Sequence, residues 1–156
     1  MTTTNYRLII KDRGWNEIKK EHKRLDGVKI EVGLFNDGGG DTPEDNIAMR
    51  GAVHEYGTTN IPQRPFMRKA MLGKNKKELQ HFISVIYTQY VKKKQTLSLF
   101  LKKIGVFHES QIKNSIKNGR YKKLSPITIR RKLSSKPLID TGEMLNSVEY
   151  RIKMRL

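Results

Sequence analysis

A few positions in this 156-residue chain carry residue types that do chemistry elsewhere. His54-Glu55 has the start of a zinc-protease motif, which needs a second His four positions on so that both imidazoles share one helix face. That position is Thr58, and His22, His81 and His108 fall on separate predicted helices. Asp140 and Glu143 are close enough for paired carboxylates, but their spacing is equally that of a helix capping box. The Gly-rich run Asn36 to Asp41 lacks the Gly-Lys-Ser/Thr ending of a phosphate loop. No serine stands in a Gly-x-Ser-x-Gly elbow, and the chain has no cysteine. These spacings predict no catalytic residue, no metal site and no cofactor.

Charge points instead to binding. Lys and Arg number 32 against 15 Asp and Glu, a formal +17. From Lys69 to Lys136 there are 18 basic residues and only two acids, Glu78 and Glu109, so this stretch holds +16 of the total. Such a field favours nucleic acid, anionic lipid or an acidic protein surface. The candidates for contact with DNA or an acidic partner are Lys92, Lys93, Lys94, Lys122 and Lys123. With no helix-turn-helix, zinc-finger or RNP-type pattern to read bases, any DNA contact is expected to be sequence-indifferent and steeply salt-dependent. Tyr87, Tyr90, Phe100, Phe107 and Tyr121 interleave with the lysines, but their helical spacing assigns most of them to a core.

The elements that must position these residues follow from periodicity. Tyr6, Leu8 and Ile10 suggest a first strand. Asp12 is placed to cap a helix that buries Trp15, Ile18, His22 and Leu25, and Asp26-Gly27 ends it. Val28, Ile30, Val32 and Leu34 alternate with polar residues, as do Val148, Tyr150, Ile152 and Met154, so both segments read as strands with one buried face. Thr42-Pro43-Glu44-Asp45 looks like a helix start and predicts a helix from Pro43 to Tyr56, stopped by Gly57. Helices follow from Pro65, in two pieces around Gly73, then from Leu97 to near Gly119, then over SPITIRRKL. DTGE, from Asp140 to Glu143, reads as a capping box. The sum is one α+β domain over residues 1–156, with a small, mostly antiparallel sheet (strands near 6–11, 28–35 and 147–154) packed by several helices. The absence of cysteine suits a reducing cytoplasm. No apolar run is long enough for a signal peptide or a membrane span, so a non-membrane protein is expected.

Three stretches in order add a further expectation: VGLF at 32–35 with HEYGT at 54–58, IPQRPFMR at 61–68, and LSPITIRRK at 124–132 with PLIDTGEMLNSV at 137–148. Together they resemble the phage virion-morphogenesis or tail-completion proteins, the small head-tail joining subunits of tailed phages. The resemblance implies a non-enzymatic structural subunit of the neck, assembled in the host cytoplasm and located in the virion. Copies of itself would form a ring of six or twelve around the channel for double-stranded DNA, between portal-side and tail-tube or tail-terminator proteins. It carries over an assembly and structural motif of His54, Glu55, Tyr56, Gly57, Pro62, Arg64, Pro65, Phe66, Arg68, Asp140, Thr141 and Gly142. Within it, Arg64 and Arg68 are expected to flank an apolar Phe66-Met67 contact with a neighbouring subunit. The alternatives are a tail-terminator subunit and a basic, non-specific nucleic-acid-binding module.

Overall fold

The computed structural model describes residues 13–38, 40–43, 45–132 and 135–154, and the strand expected near 6–11 lies outside them. The described residues form α1 (Trp15–Lys23), β1 (Lys29–Gly33), α2 (Ile47–Tyr56), α3 (Phe66–Met71), α4 (Gly73–Val91), α5 (Leu97–Asn118), α6 (Pro126–Lys132), α7 (Glu143–Asn146) and β2 (Glu149–Lys153). This is the expected α+β arrangement.

The two alternating segments pair antiparallel, with Ile30 opposite Ile152 and Val32 opposite Tyr150. A period of two puts these four side chains on one face, and that face lies on α5. The approach is closest at Gly105, where any Cβ would run into the Tyr150 ring. The other face is polar, with Lys153 2.7 Å from Glu31 and Arg151 paired to Glu149 and Asp37.

Beneath the sheet the apolar residues divide into two groups. One joins Phe66 and Ala70 of α3 to Ile112 and Ile116 of α5, with Leu138, Met144 and Val148 closing over them. The other is aromatic: Ile86 and Tyr90 of α4 meet Phe100 and Leu101 of α5, and the Tyr90 and Phe100 rings stack 5.1 Å apart. Most rings of the basic stretch are therefore spent on packing. The sheet spans both groups, Val32 lying over the first and Ile30 and Ile152 over the second.

Three helix starts differ from expectation. The first helix begins at Trp15 with Gly14 as its N-cap and leaves Trp15 exposed, and Asp12 lies outside the described residues. The helix predicted from Pro43 begins at Ile47, because Asn46 is the residue whose side chain accepts the Met49 amide, at 3.0 Å. Thr42 and Asp45 close a turn of their own upstream, linked side chain to side chain at 2.8 Å. Nor does DTGE form a capping box. Gly142 is the N-cap of α7, the Thr141 hydroxyl takes the Glu143 amide at 3.3 Å, and the Glu143 carboxylate is drawn away to Arg50 at 2.6 Å.

Among the described residues, no helix is long and apolar enough to cross a membrane.

Candidate functional site

The segment from His54 to Arg68 is a bracket joining two helices. Gly57 ends α2 with φ of 77°, a conformation that disfavours a side chain, and a Cβ there would lie 2.9 Å from both the Ile61 carbonyl and the Gln63 amide. Thr58 then folds the loop back: its amide donates to the Ile61 carbonyl, and its hydroxyl accepts from the Asn60 and Ile61 amides. The Arg64 amide returns to the His54 carbonyl at 2.7 Å, so the loop is closed at its base.

Glu55 locks the next helix to this loop. Its carboxylate is buried and accepts the Met67 and Arg68 amides, at 2.8 and 3.1 Å, filling the capping role at α3 that Pro65 cannot perform. The Arg68 Nε donates to the same carboxylate at 2.8 Å, its terminal nitrogen donates to the Glu55 carbonyl at 2.7 Å, and its guanidinium lies over the exposed Tyr56 ring. A buried carboxylate is tolerated when it is supplied with donors in this way.

Arg64 and Arg68 therefore do not frame an exposed apolar contact. Phe66 is fully buried, because the first residue of α3 faces the core; Arg68 is committed to Glu55; and Arg64 is only 4% exposed. The incomplete zinc motif also has a structural use, since Glu55 points at helix amides and its neighbour His54 faces another way.

His54 opens into a groove of about 870 Å³. Besides Pro43, its walls come from four separate segments: Arg50, Val53 and His54 of α2; Asn60 to Pro62 with Arg64; Lys122 to Ser125 with Thr128, Arg131 and Lys132; and Leu138 with Asp140 to Met144. The linker at 119–124 is held in place from several sides. Lys69 donates to the Arg120 carbonyl at 2.6 Å and lies over the Tyr121 ring, Tyr121 bonds Ser115, and the Lys122 carbonyl accepts from Arg64 at 3.3 Å. Lys122 and Lys123 consequently reach the groove, whereas Lys92, Lys93 and Lys94 sit in the turn after α4, where Lys93 pairs with Glu17 of α1 at 2.6 Å. The five lysines do not form one track.

Electrostatically the groove is cationic and under-neutralised. Arg50, Arg64, Lys122, Lys123, Arg131 and Lys132 face two acids, Asp140 and Glu143, and Glu143 is bound to Arg50. Burial, followed by the positive charge of Arg64, Lys132 and Arg50, pushes the His54 imidazole down to about 4, so it is neutral at pH 7. Its Nδ1 is buried without a hydrogen-bond partner. Burial also lowers Arg64 from its ordinary value.

Of the motif residues, His54, Pro62, Arg64, Asp140, Thr141 and Gly142 meet at this groove, while Glu55, Tyr56, Gly57, Pro65, Phe66 and Arg68 build the bracket beside it. Reading the sequence alone misses Arg50, Arg131 and Lys132. The Arg130 to Lys132 run gave a signal, lying inside a stretch already singled out; Arg50 gave none. No known protein-family model, curated protein or solved structure matches the chain.

Proposed function

We propose that the chain is a structural subunit of a tailed-phage neck, acting by assembly into a ring between head and tail. One observation carries the reading. The segments at 54–58, 61–68, 124–132 and 137–148, in which the sequence resembles head-tail joining proteins, lie far apart in the chain yet meet at one bracket and groove, and many of their residues have a positioning task there. Ring subunits need rigid loops and helix ends to present to neighbours at a repeated rotation, and a loop closed by its own hydrogen bonds loses little entropy on docking. The test is native mass spectrometry and electron microscopy of the purified chain, with detection of the chain in purified phage particles. A closed ring of six or twelve copies, or the chain at the neck of the particle, is expected. A monomer that is also absent from particles overturns the reading. A tail-terminator subunit would give the same ring but lie at the end of the tail tube.

The basic stretch from Lys69 to Lys136 favours one second reading, a non-specific nucleic-acid-binding module. It is distinguished by a monomer whose duplex binding collapses between low and moderate salt.

A further inference from the structure

We infer that the cationic groove is a receptor for a carboxylate-bearing peptide segment of a partner protein, with Arg64 as the seat of one carboxylate.

A cation without an anion and a buried nitrogen without a partner, at the same place, motivate this. Arg64 is 4% exposed, yet its side chain makes one hydrogen bond, through Nε to the Lys122 carbonyl, and no ion pair among the described residues. A cation so largely covered by protein without an anion is unfavourable, and such groups are normally paired. Beside it the His54 Nδ1 is buried and unpartnered. Elsewhere the chain does pair its buried charges: Glu55 takes Arg68 and two amides, and Glu21 takes Tyr90 and Arg24. The exception lines an open groove, so an anion has a route to it.

The shape and lining select the kind of anion. A duplex is a broad rod with its phosphates on the outer surface, so it could touch the exposed Lys123 and Arg131 but offers no slender group to reach the largely covered Arg64. A carboxylate at the end of a slender side chain can reach it and satisfy the planar fork with two parallel hydrogen bonds. The walls are not uniformly cationic either. Val53, Ile61, Leu124 and Leu138 share the lining with the charges, which fits a segment mixing acidic and apolar residues.

This inference does not depend on the ring reading, and the two fail separately: ring formation is read from native mass, groove occupancy from the His54 ring. The experiment uses the full chain and two short capped peptides, one of mixed Glu and Leu and one with Gln in place of Glu. Binding is followed by calorimetry and by the NMR signals of the His54 imidazole. The Glu peptide should bind saturably, shift those signals and raise the His54 pKa above about 4, since a carboxylate now faces the ring. The Gln peptide should bind at least about tenfold more weakly, and so should the Glu peptide to Arg131→Glu with Lys132→Glu, whose circular dichroism should match the parent. Arg64→Gln should abolish binding; should that variant fail to fold, the Arg131 and Lys132 double variant decides. Equal affinity for the two peptides, or unchanged affinity in the double variant, overturns the inference. So does a duplex oligonucleotide that displaces the Glu peptide and moves the His54 signals itself, or self-association that disappears in the double variant while the peptide has no effect.

Discussion

At the aromatic end of the helical layer, the buried carboxylate of Glu21 receives the Tyr90 hydroxyl and the Arg24 guanidinium. The Tyr90 hydrogen bond outweighs burial there and holds Glu21 below the usual carboxylate range, while burial and Glu21 push the Tyr90 phenol up to about 12. At the groove end, Arg64 is buried about as deeply and has no anion within the described residues. Both ends have a well-packed core, Tyr90 on Phe100 in one and Phe66 on Ile112 in the other, so packing does not distinguish them. Polar satisfaction does. The aromatic end is complete as it stands, and the groove end carries a charge arrangement that makes chemical sense when something else is bound.

The comparison can be broken by substitution, and the largest effect is expected where a buried charge is already satisfied. Glu55→Ala removes the cap of α3 and strands two amides, and should lower unfolding free energy by about 3–5 kcal/mol in urea titration. Gly105→Val should cost about 2–3 kcal/mol, because the Tyr150 ring must move off α5 and the sheet with it. A loss confined to one end of the molecule, with β2 still protected from hydrogen exchange, would count against the sheet's dependence on that contact.

The next effect concerns pH. The unfolded His54 imidazole takes its proton near 6.5 and the folded one near 4, so between these values the unfolded chain holds more protons. Its contribution is complete above pH 6.5 and is lost as pH falls toward 4, by about 1–2 kcal/mol once screening in an open groove is allowed for. His54→Asn should flatten that part of the stability profile. Arg64→Met tests the comparison from the opposite side: it keeps much of the volume and removes the uncompensated cation, so it should leave the protein as stable or about 1 kcal/mol more so. A marked loss of stability would mean that Arg64 is satisfied within the fold. The smallest effect belongs to Arg151→Ala on the solvent-facing side of the sheet, where the pairs with Glu149 and Asp37 are exposed and the unfolding midpoint should scarcely move.

How much of this was readable beforehand depends on whether the signal was local. The pairing of 29–33 with 149–153, the break at Gly73 and the extent of α5 follow from period and punctuation along the chain, and all are present. The start of α2 was misread because two cap signals overlap, Thr42-Pro43 and Asn46, and only tertiary contacts decide between them. Arg50 leaves α2 to bind the Pro43 carbonyl at 2.9 Å and Glu143 at 2.6 Å, which draws the chain before Asn46 away from the helix axis. The motif residues do lie together at the bracket and the groove, but the use of Glu55 was not legible, since its partners lie twelve and thirteen positions on, beyond any helical spacing. The groove was invisible for a related reason: Lys122, Lys123, Arg131 and Lys132 are near one another in sequence, but Arg50 and Arg64, which complete its cationic lining, lie more than fifty residues upstream.

The placement of Tyr150 against Gly105 also bears on the order in which the molecule can be made. β1 precedes β2, its only partner among the described strands, by six helices, so a polypeptide emerging from the ribosome carries β1 unpaired while α2 to α7 are synthesised. Local helices form in microseconds, whereas closing so long a loop is slow. A nascent chain halted before residue 149 would leave the apolar face of α5 around Gly105 uncovered and the edge of β1 open to foreign strands. It should then depend on a chaperone until the last five-residue strand arrives.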